Sequence, residues 1–199
     1  MISYLTTMKN VAIACLLSFA LTSCLVERDA IIESDYSYKG KFKKYRTFNF
    51  LNLNDTVNFN GLSDHKIKHE IERRLAAQGY KLSDKPSFYI AYKVYGEDFT
   101  FRGYEQLDLA NWEENYAEYA EDDETLEYIS EAQYKERSYQ LSEGTLLIDF
   151  IDSESSRLIW QGYASGLFSD ESYFSKDIRY SVRMILNEYR IVAANYKRR

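Results

Sequence analysis

The sequence predicts an α+β fold, a mixed and mostly antiparallel sheet of about four strands with two helices on one face. Four segments alternate apolar and polar residues as half-buried strands do. Two longer segments repeat apolar residues with the period of an amphipathic helix. Because the predicted order is β-α-β, an insert and then β-β-α, packing both helices on one face is the most economical arrangement.

The N-terminus has the features of a bacterial lipoprotein leader. Lys9 is followed by the apolar run Val11–Leu21 and then by Leu21-Thr22-Ser23-Cys24. A cation, a short apolar run and small residues before a cleavage point are typical of a secretory signal, and a spanning helix needs roughly 20 apolar residues. Leu-Thr-Ser-Cys also matches the lipobox, in which the cysteine is acylated. We therefore predict a signal peptide over residues 1–23 and lipidation, for example by palmitate, of Cys24; the alternative is a plain signal peptide with a coincidental cysteine.

The residues after the cysteine predict location and domain limits. Leu25 stands where an aspartate would favour retention in the inner membrane, so we expect an outer-membrane lipoprotein that faces the periplasm or the outside. Residues 24–40 are predicted to be a tether, 41–195 a single α+β domain and 196–199 a basic tail. The membrane, reached through Cys24, is thus the first predicted partner.

Composition excludes some classes of function. Without Lys9, the mature chain has 24 basic and 31 acidic side chains, which argues against binding of nucleic acid. Cys15 is lost with the signal peptide and Cys24 is used by the lipid, so no disulfide is expected. Stability must come from packing, and the 19 Tyr and 11 Phe suggest that aromatic burial supplies much of it.

The first half of the domain contains a predicted β-α-β unit. Lys44–Leu51 alternates and includes aromatic and β-branched residues, which favours a strand. Asp64–Gln78 has the helical period and is followed by Gly79, a typical residue after a helix. Ser87–Tyr95 alternates again and is the second predicted strand.

The second half predicts a hairpin and a helix. Gly144–Asp152 and Arg157–Leu167 alternate on either side of a turn rich in Asp and Ser. Lys176–Tyr189 is the final helix, with Ser175 as its expected cap. On the second hairpin strand we expect Trp160 in the core, because its neighbours on that face, Gly162 and Ala164, are small and leave room for a helix.

Residues 96–140 form an acidic, aromatic insert with fourteen Asp or Glu and nine aromatic residues. Within it, Leu109–Ala120 is predicted to be a helix with one stripe made of Trp112, Tyr116 and Tyr119. In one interpretation this stripe is an interaction surface for a basic or cationic envelope partner, and a Gly-Ser loop can replace the whole insert. In the other, the stripe packs on the open face of the sheet.

Several short motifs indicate a known family. Besides the lipobox they are Asp35-Tyr36, Tyr45-Arg46-Thr47-Phe48, Leu75-Ala76-Ala77-Gln78-Gly79-Tyr80, Gly144-Thr145-Leu146-Leu147-Ile148-Asp149, Leu158-Ile159-Trp160-Gln161-Gly162 and the closing helix. With these pieces the chain resembles bacterial envelope lipoproteins that bear domain of unknown function 4136 (DUF4136). The resemblance implies the fold and an envelope location, and it implies no activity.

No catalytic or metal-binding motif stands out. His65 and His69 have a spacing that two metal ligands can share, but they lie away from the apolar stripe and among cationic residues, so no metal site is predicted. Asp149 and Asp152 fall on opposite faces of a strand, which argues against a catalytic pair, and Asp152 suits the turn. No catalytic residue and no cofactor is therefore predicted.

These observations favour a non-enzymatic binding or interaction module in the cell envelope. The alternative is a small-ligand carrier or an enzyme with a pocket between the sheet and the helices. A purely structural surface protein is a third possibility. An exposed aromatic patch would favour the first hypothesis.

Overall fold

A computed structural model describes residues 31–51, 64–115, 135–166, 174–194 and 196. The elements are β1 (Ile31–Tyr36), β2 (Thr47–Phe50), α1 (Asp64–Ala77), β3 (Lys81–Leu82), β4 (Phe88–Tyr95), β5 (Phe99–Glu105), α2 (Leu109–Asn115), β6 (Lys135–Leu141), β7 (Thr145–Asp152), β8 (Leu158–Ser165) and α3 (Phe174–Glu188). A 3₁₀ turn, Phe42–Lys44, lies between β1 and β2.

The main sheet has six strands in the order β1-β8-β7-β4-β2-β3. The β1–β8, β8–β7 and β7–β4 pairs are antiparallel, whereas β2 runs parallel to both β3 and β4. The α+β class and the mixed sheet are therefore confirmed. The expected numbers of strands and helices are wrong for the described part of the chain: it has six strands in this sheet, two more in a separate β5–β6 hairpin, and three α-helices.

Strand β1 lies inside the segment predicted to be a tether. It pairs with β8 over its whole length, from Ile31 opposite Ser165 to Tyr36 opposite Trp160. The tether prediction is therefore wrong from Ile31 onward. This strand was not predicted because it lacks the regular apolar alternation of a core strand. Glu33 and Asp35 occupy one of its faces, and Ser34 interrupts the apolar residues of the other.

Helices α1 and α3 pack against each other and against one face of the sheet, as expected. Ile67, Ile71 and Leu75, which give α1 its helical period, are fully buried. Ile178, Ile185 and Leu186 of α3 are buried as well. The observed limits of α1 agree with the predicted ones within one residue. Gly79 has the positive φ of 89° that a helix-ending glycine adopts. In contrast, Ser175 is not a cap, because α3 already begins at Phe174.

Trp160 is buried in the core beneath α3, which confirms its prediction. Its ring packs against Phe150 and Tyr189, with centroids 4.7 and 5.3 Å away. A Cβ at Gly162 would come within 2.4 Å of the Trp160 ring and 2.7 Å of Ile185. The glycine thus provides the space in which the indole and the helix meet.

The opposite face of the sheet is partly covered by the β5–β6 hairpin, which comes from the two arms of the insert. Phe101 of β5 and Tyr139 of β6 pack on Tyr163 of β8, with ring centroids 4.7 and 5.9 Å away. Leu141 and Leu147 complete this second, smaller core. The arms of the insert are therefore part of the domain.

The predicted hairpin of β7 and β8 is confirmed. Its turn is held by Asp152, whose Oδ1 accepts hydrogen bonds from the backbone amides of Glu154 and Ser155 at 3.2 and 2.7 Å. None of the helices in the described segments is both long and apolar enough to cross a membrane.

Candidate functional site

The candidate site is an open cleft of about 820 Å³ at one end of the main sheet. It lies where β1 ends, β7 turns into β8 and β2 begins. The segment Ser37–Tyr45 lines one side, the β7–β8 turn from Asp152 to Arg157 contributes to the other, and Glu113 of α2 and Ile159 complete it. Three regions that are distant in sequence therefore meet there.

The 3₁₀ turn holds a row of lysines at the cleft. Phe42, in the middle of the row, is fully buried and packs edge-on against Tyr36 and Tyr45. Lys41, Lys43 and Lys44 stay exposed. Because the Phe42 ring fixes the turn to the core, the backbone that carries the neighbouring lysines is held in place.

A hydrogen bond between Tyr45 and Asp152 joins the two sides of the cleft. The Tyr45 hydroxyl donates to Asp152 Oδ2 over 2.8 Å. Burial raises the pKa of Tyr45, and the hydrogen bond to the Asp152 carboxylate raises it further. Burial alone would also raise the pKa of Asp152, but the hydrogen bonds from Ser155, Tyr45 and Glu154 hold it below the usual value. Asp152 is therefore an ionised carboxylate, and it lies at the turn as predicted.

Glu113 connects the insert to the cleft. Its side chain is almost fully buried, and its carboxylate lies 3.9 Å from the ammonium of Lys43, which also donates a hydrogen bond to the Glu113 carbonyl. Burial raises the pKa of Glu113, while the charge of Lys43 opposes that shift. One lysine of the row thus has an acidic partner.

The cleft has an excess of positive charge in a chain whose net charge is −6. Lys39, Lys41, Lys43, Lys44 and Arg157 outnumber its three acidic residues, which are Glu113, Asp152 and Glu154. Two of these acids already have partners within the protein, as described above. Within the described residues, Lys41, Lys44 and Arg157 form no ion pair. Chemically, the arrangement can hold anionic groups such as carboxylate or phosphate.

Of the three residues of the predicted interaction surface, Trp112 lies in the part of the chain that the structure describes. Trp112 has 0% exposure and packs against Tyr38, with ring centroids 4.1 Å apart and the planes tilted by 38°. It belongs to the helix-side core, so it contributes neither to an exposed surface nor to packing on the open face. Tyr116 and Tyr119 lie outside the described residues, and their role stays a prediction.

The other predicted site residues lie apart from the cleft. His65 and His69 are exposed on α1 with their rings parallel and 6.3 Å apart. In the described segments, no three His, Cys, Asp or Glu residues are placed to hold a metal ion. Asp149 accepts a hydrogen bond of 2.6 Å from Gln161 on the opposite face of the sheet from the helices, and it does not meet Asp152. Cys24 lies outside the described residues, and its lipidation stays a prediction.

Sequence analysis missed the cleft itself. The available signal was Lys39-Gly40-Lys41-Phe42-Lys43-Lys44, four cations around one aromatic residue, which the predicted domain limits divided between tether and domain. The β7–β8 turn and Glu113 lie beside this row because of contacts between residues that are 70 or more positions apart in the sequence.

Comparison with protein families supports the fold and the suspected relationship. The family model for the domain of unknown function DUF4136 matches residues 32–189, which include the main sheet, apart from the first residue of β1, and both large helices. The chain belongs to the DUF4136 family. No curated protein matches it.

Solved structures similar to this DUF4136 chain include a member of the same family. The crystal structure of a DUF4136 family protein from Bacteroides thetaiotaomicron is 10% identical, covers 81% of this chain and 94% of its own, and has a TM-score of 0.48. A PelC dodecamer from Paraburkholderia phytofirmans is 7% identical, covers 81% of this chain and 98% of its own, and has a TM-score of 0.43.

Proposed function

We propose that this DUF4136 chain is a lipid-anchored protein of the bacterial envelope that binds another envelope component without chemical turnover. The anchor is supported by the lipobox Leu21–Cys24. Ile31, the start of β1, follows Cys24 by seven residue steps, with six residues between them. A chain of that length reaches about 25 Å at most, so the domain would stay close to the membrane surface.

The observation that carries the binding function is the open cleft. It combines an exposed row of cations with a wall of hydrogen-bonded polar groups. A proton-transfer role is poorly supported, because Tyr45 and Asp152 are already bonded to each other and the pKa of each is held away from neutrality. The cleft also lies at the end of the sheet, whereas the alternative hypothesis of a carrier or enzyme places a pocket between sheet and helices.

The central part of the insert is a second candidate surface. Residues 116–134 contain seven Asp or Glu, four Tyr and no Lys or Arg. Such a segment suits a basic or cationic envelope partner, and its binding would weaken as salt is raised. This proposal rests on composition and is independent of the cleft.

The anchor can be tested with the two cysteines of the chain. In a bacterial host, Cys24→Ala is expected to abolish labelling with radioactive palmitate and to move the protein out of the membrane fraction. Cys15→Ala is the matched control, since it changes only the leader and should keep both properties. Labelling and membrane retention that persist in Cys24→Ala would contradict the proposal.

The choice of membrane has its own test. We expect the wild-type protein in the outer-membrane fraction of an enteric host, and Leu25→Asp in the inner-membrane fraction. Wild-type protein in the inner-membrane fraction would contradict the outer-membrane location.

A further inference from the structure

We propose that the lysine-lined cleft binds a water-soluble ligand that carries phosphate or carboxylate groups. This inference deepens the proposed binding function by giving the chemistry of its ligand and the residues that hold it. It does not depend on the acidic segment 116–134.

The distribution of charge in the cleft favours an anionic ligand. Of the charged groups of the cleft, Asp152 and Glu113 are satisfied by Tyr45, the turn amides and Lys43. Lys41, Lys44 and Arg157 have no acidic partner among the described residues, although the chain has six more acids than bases. Cations that are left unpaired in an acidic protein create a local positive potential that attracts anions.

Both sides of the cleft are held in place before a ligand binds. Gly40 passes over the buried ring of Phe42 so closely that a Cβ would meet the ring at 2.4 Å. On the facing wall, the Ser155 hydroxyl and amide are both held by Asp152 at 2.7 Å. Because both walls are fixed by contacts within the protein, binding requires mainly the ordering of the lysine side chains.

The position of the cleft on the sheet indicates the source of the anion. Strand β1 starts at Ile31, on the side of the tether, and ends at Tyr36 beside the cleft. Six residues of strand separate the two ends by about 20 Å. The cleft therefore lies at the end of the sheet away from the tether, which favours a soluble ligand over the headgroups of the membrane that holds the anchor.

The test uses the full-length lipidated protein in nanodiscs of phosphatidylcholine, titrated with inorganic tripolyphosphate by calorimetry. We expect binding by the wild type and a loss of affinity of about tenfold in the Lys41→Gln/Lys44→Gln double variant, since two exposed ionic contacts are removed. The control is Lys66→Gln/Lys135→Gln, which removes the same charge from α1 and β6 and should bind like the wild type. In a parallel arm, vesicles of phosphatidylglycerol replace tripolyphosphate in a cosedimentation assay.

Each outcome decides the proposal. Absence of tripolyphosphate binding by the wild type would overturn the proposal. An equal loss of affinity in the two double variants would also overturn it, because it would show that the anion responds to net charge alone. Binding of phosphatidylglycerol vesicles without binding of tripolyphosphate would overturn the soluble source and indicate a second membrane surface. Palmitate labelling tests the anchor in the same preparations, so a failure of this inference is distinguishable from a failure of the proposed location.

Discussion

The side-chain amide of Gln106 forms both hydrogen bonds that a neighbouring strand would offer to Tyr36. Its Oε1 accepts from the Tyr36 amide and its Nε2 donates to the Tyr36 carbonyl, each over 2.8 Å. Tyr36 ends the edge strand β1, so one residue of the insert satisfies the exposed backbone there. Unpaired backbone groups at a sheet edge can pair with strands of other chains. Gln106 blocks such pairing at Tyr36, where β1 leaves the sheet.

Gln106→Ala should lower the free energy of unfolding by about 2 kcal/mol, because two hydrogen bonds with the backbone are lost. Urea unfolding followed by circular dichroism measures this change. Gln140→Ala is the control, since its exposed side chain makes one bond, to Thr100, and its loss should cost little. Equal effects of the two variants would contradict a special role for Gln106.

Trp160→Ala should lower the free energy of unfolding by about 3–5 kcal/mol, because the buried indole leaves a cavity beneath α3. Leu158→Ala, on the same strand, is the control: Leu158 is 47% exposed and its replacement should cost far less. Thermal melts of the three proteins give the comparison. A wild-type melting temperature in Trp160→Ala would show that the ring is not part of the core.

Asp35 should make the domain more stable as the pH falls through 6. Burial under the β5–β6 hairpin raises the pKa of Asp35 to about 6, assisted by the charge of Glu33 and opposed by the hydrogen bond from the Tyr104 amide. An unfolded aspartate titrates near pH 3.9, so below pH 6 the folded state binds a proton that the unfolded state lacks, and this stabilisation is lost as the pH rises.

Melting temperatures between pH 5 and pH 8 test this dependence. Asp35→Asn should raise the melting temperature at pH 8 and flatten its pH dependence, because the buried charge is gone. Asp84→Asn, in an exposed loop, should leave the pH dependence as it is. A steep dependence that persists in Asp35→Asn would assign it to other groups, of which Glu33, whose pKa burial also raises, is the nearest.

The insert should tolerate replacement only in its central part. The sequence suggested that all of residues 96–140 can be replaced, but the burial of Trp112 and the packing of Phe101 on Tyr163 change this expectation. A Gly-Ser loop of equal length in place of residues 116–134 should keep the melting temperature, whereas replacement of 96–140 should lower it strongly.

The same loop variant tests the acidic surface. It should no longer recover a cationic envelope partner in crosslinking from intact cells, and the wild type should recover less of it as salt rises. A variant with the Asp and Glu of 116–134 changed to Asn and Gln, which keeps length and aromatic residues, separates charge from shape. Partner recovery that is unchanged in both variants would contradict the cationic-partner proposal.

The predicted elements were those whose burial repeats regularly along the chain. Helices α1 and α3 each bury one apolar stripe, and the alternating apolar residues that predicted β4 and β7, such as Ile90 and Ile148, are buried, so periodicity located these elements. Strand β3 has two residues and cannot show a period. Strands β5 and β6 are mostly exposed on one side, and their interior residues Phe101 and Tyr139 stand among polar and charged residues.

The cleft was beyond sequence analysis for a different reason. The row Lys39–Lys44 has the composition of a solvated linker, and its chemistry depends on what faces it. Facing residues such as Asp152 and Glu113 are brought there by the β1–β8–β7 pairing and by the return of the insert past Tyr36. Such long-range placement leaves no local pattern.

The position of β1 has a mechanical consequence. If Cys24 carries the lipid, any force between the membrane and the domain enters at Ile31 and passes through the six-residue pairing of β1 with β8. Because the β7–β8 turn lies at the far end of that pair, a ligand held by Arg157 of the turn pulls along the strand axis, on β8 and against β1. The backbone hydrogen bonds of the pair then share the load in shear, an arrangement that resists rupture better than unzipping one bond after another.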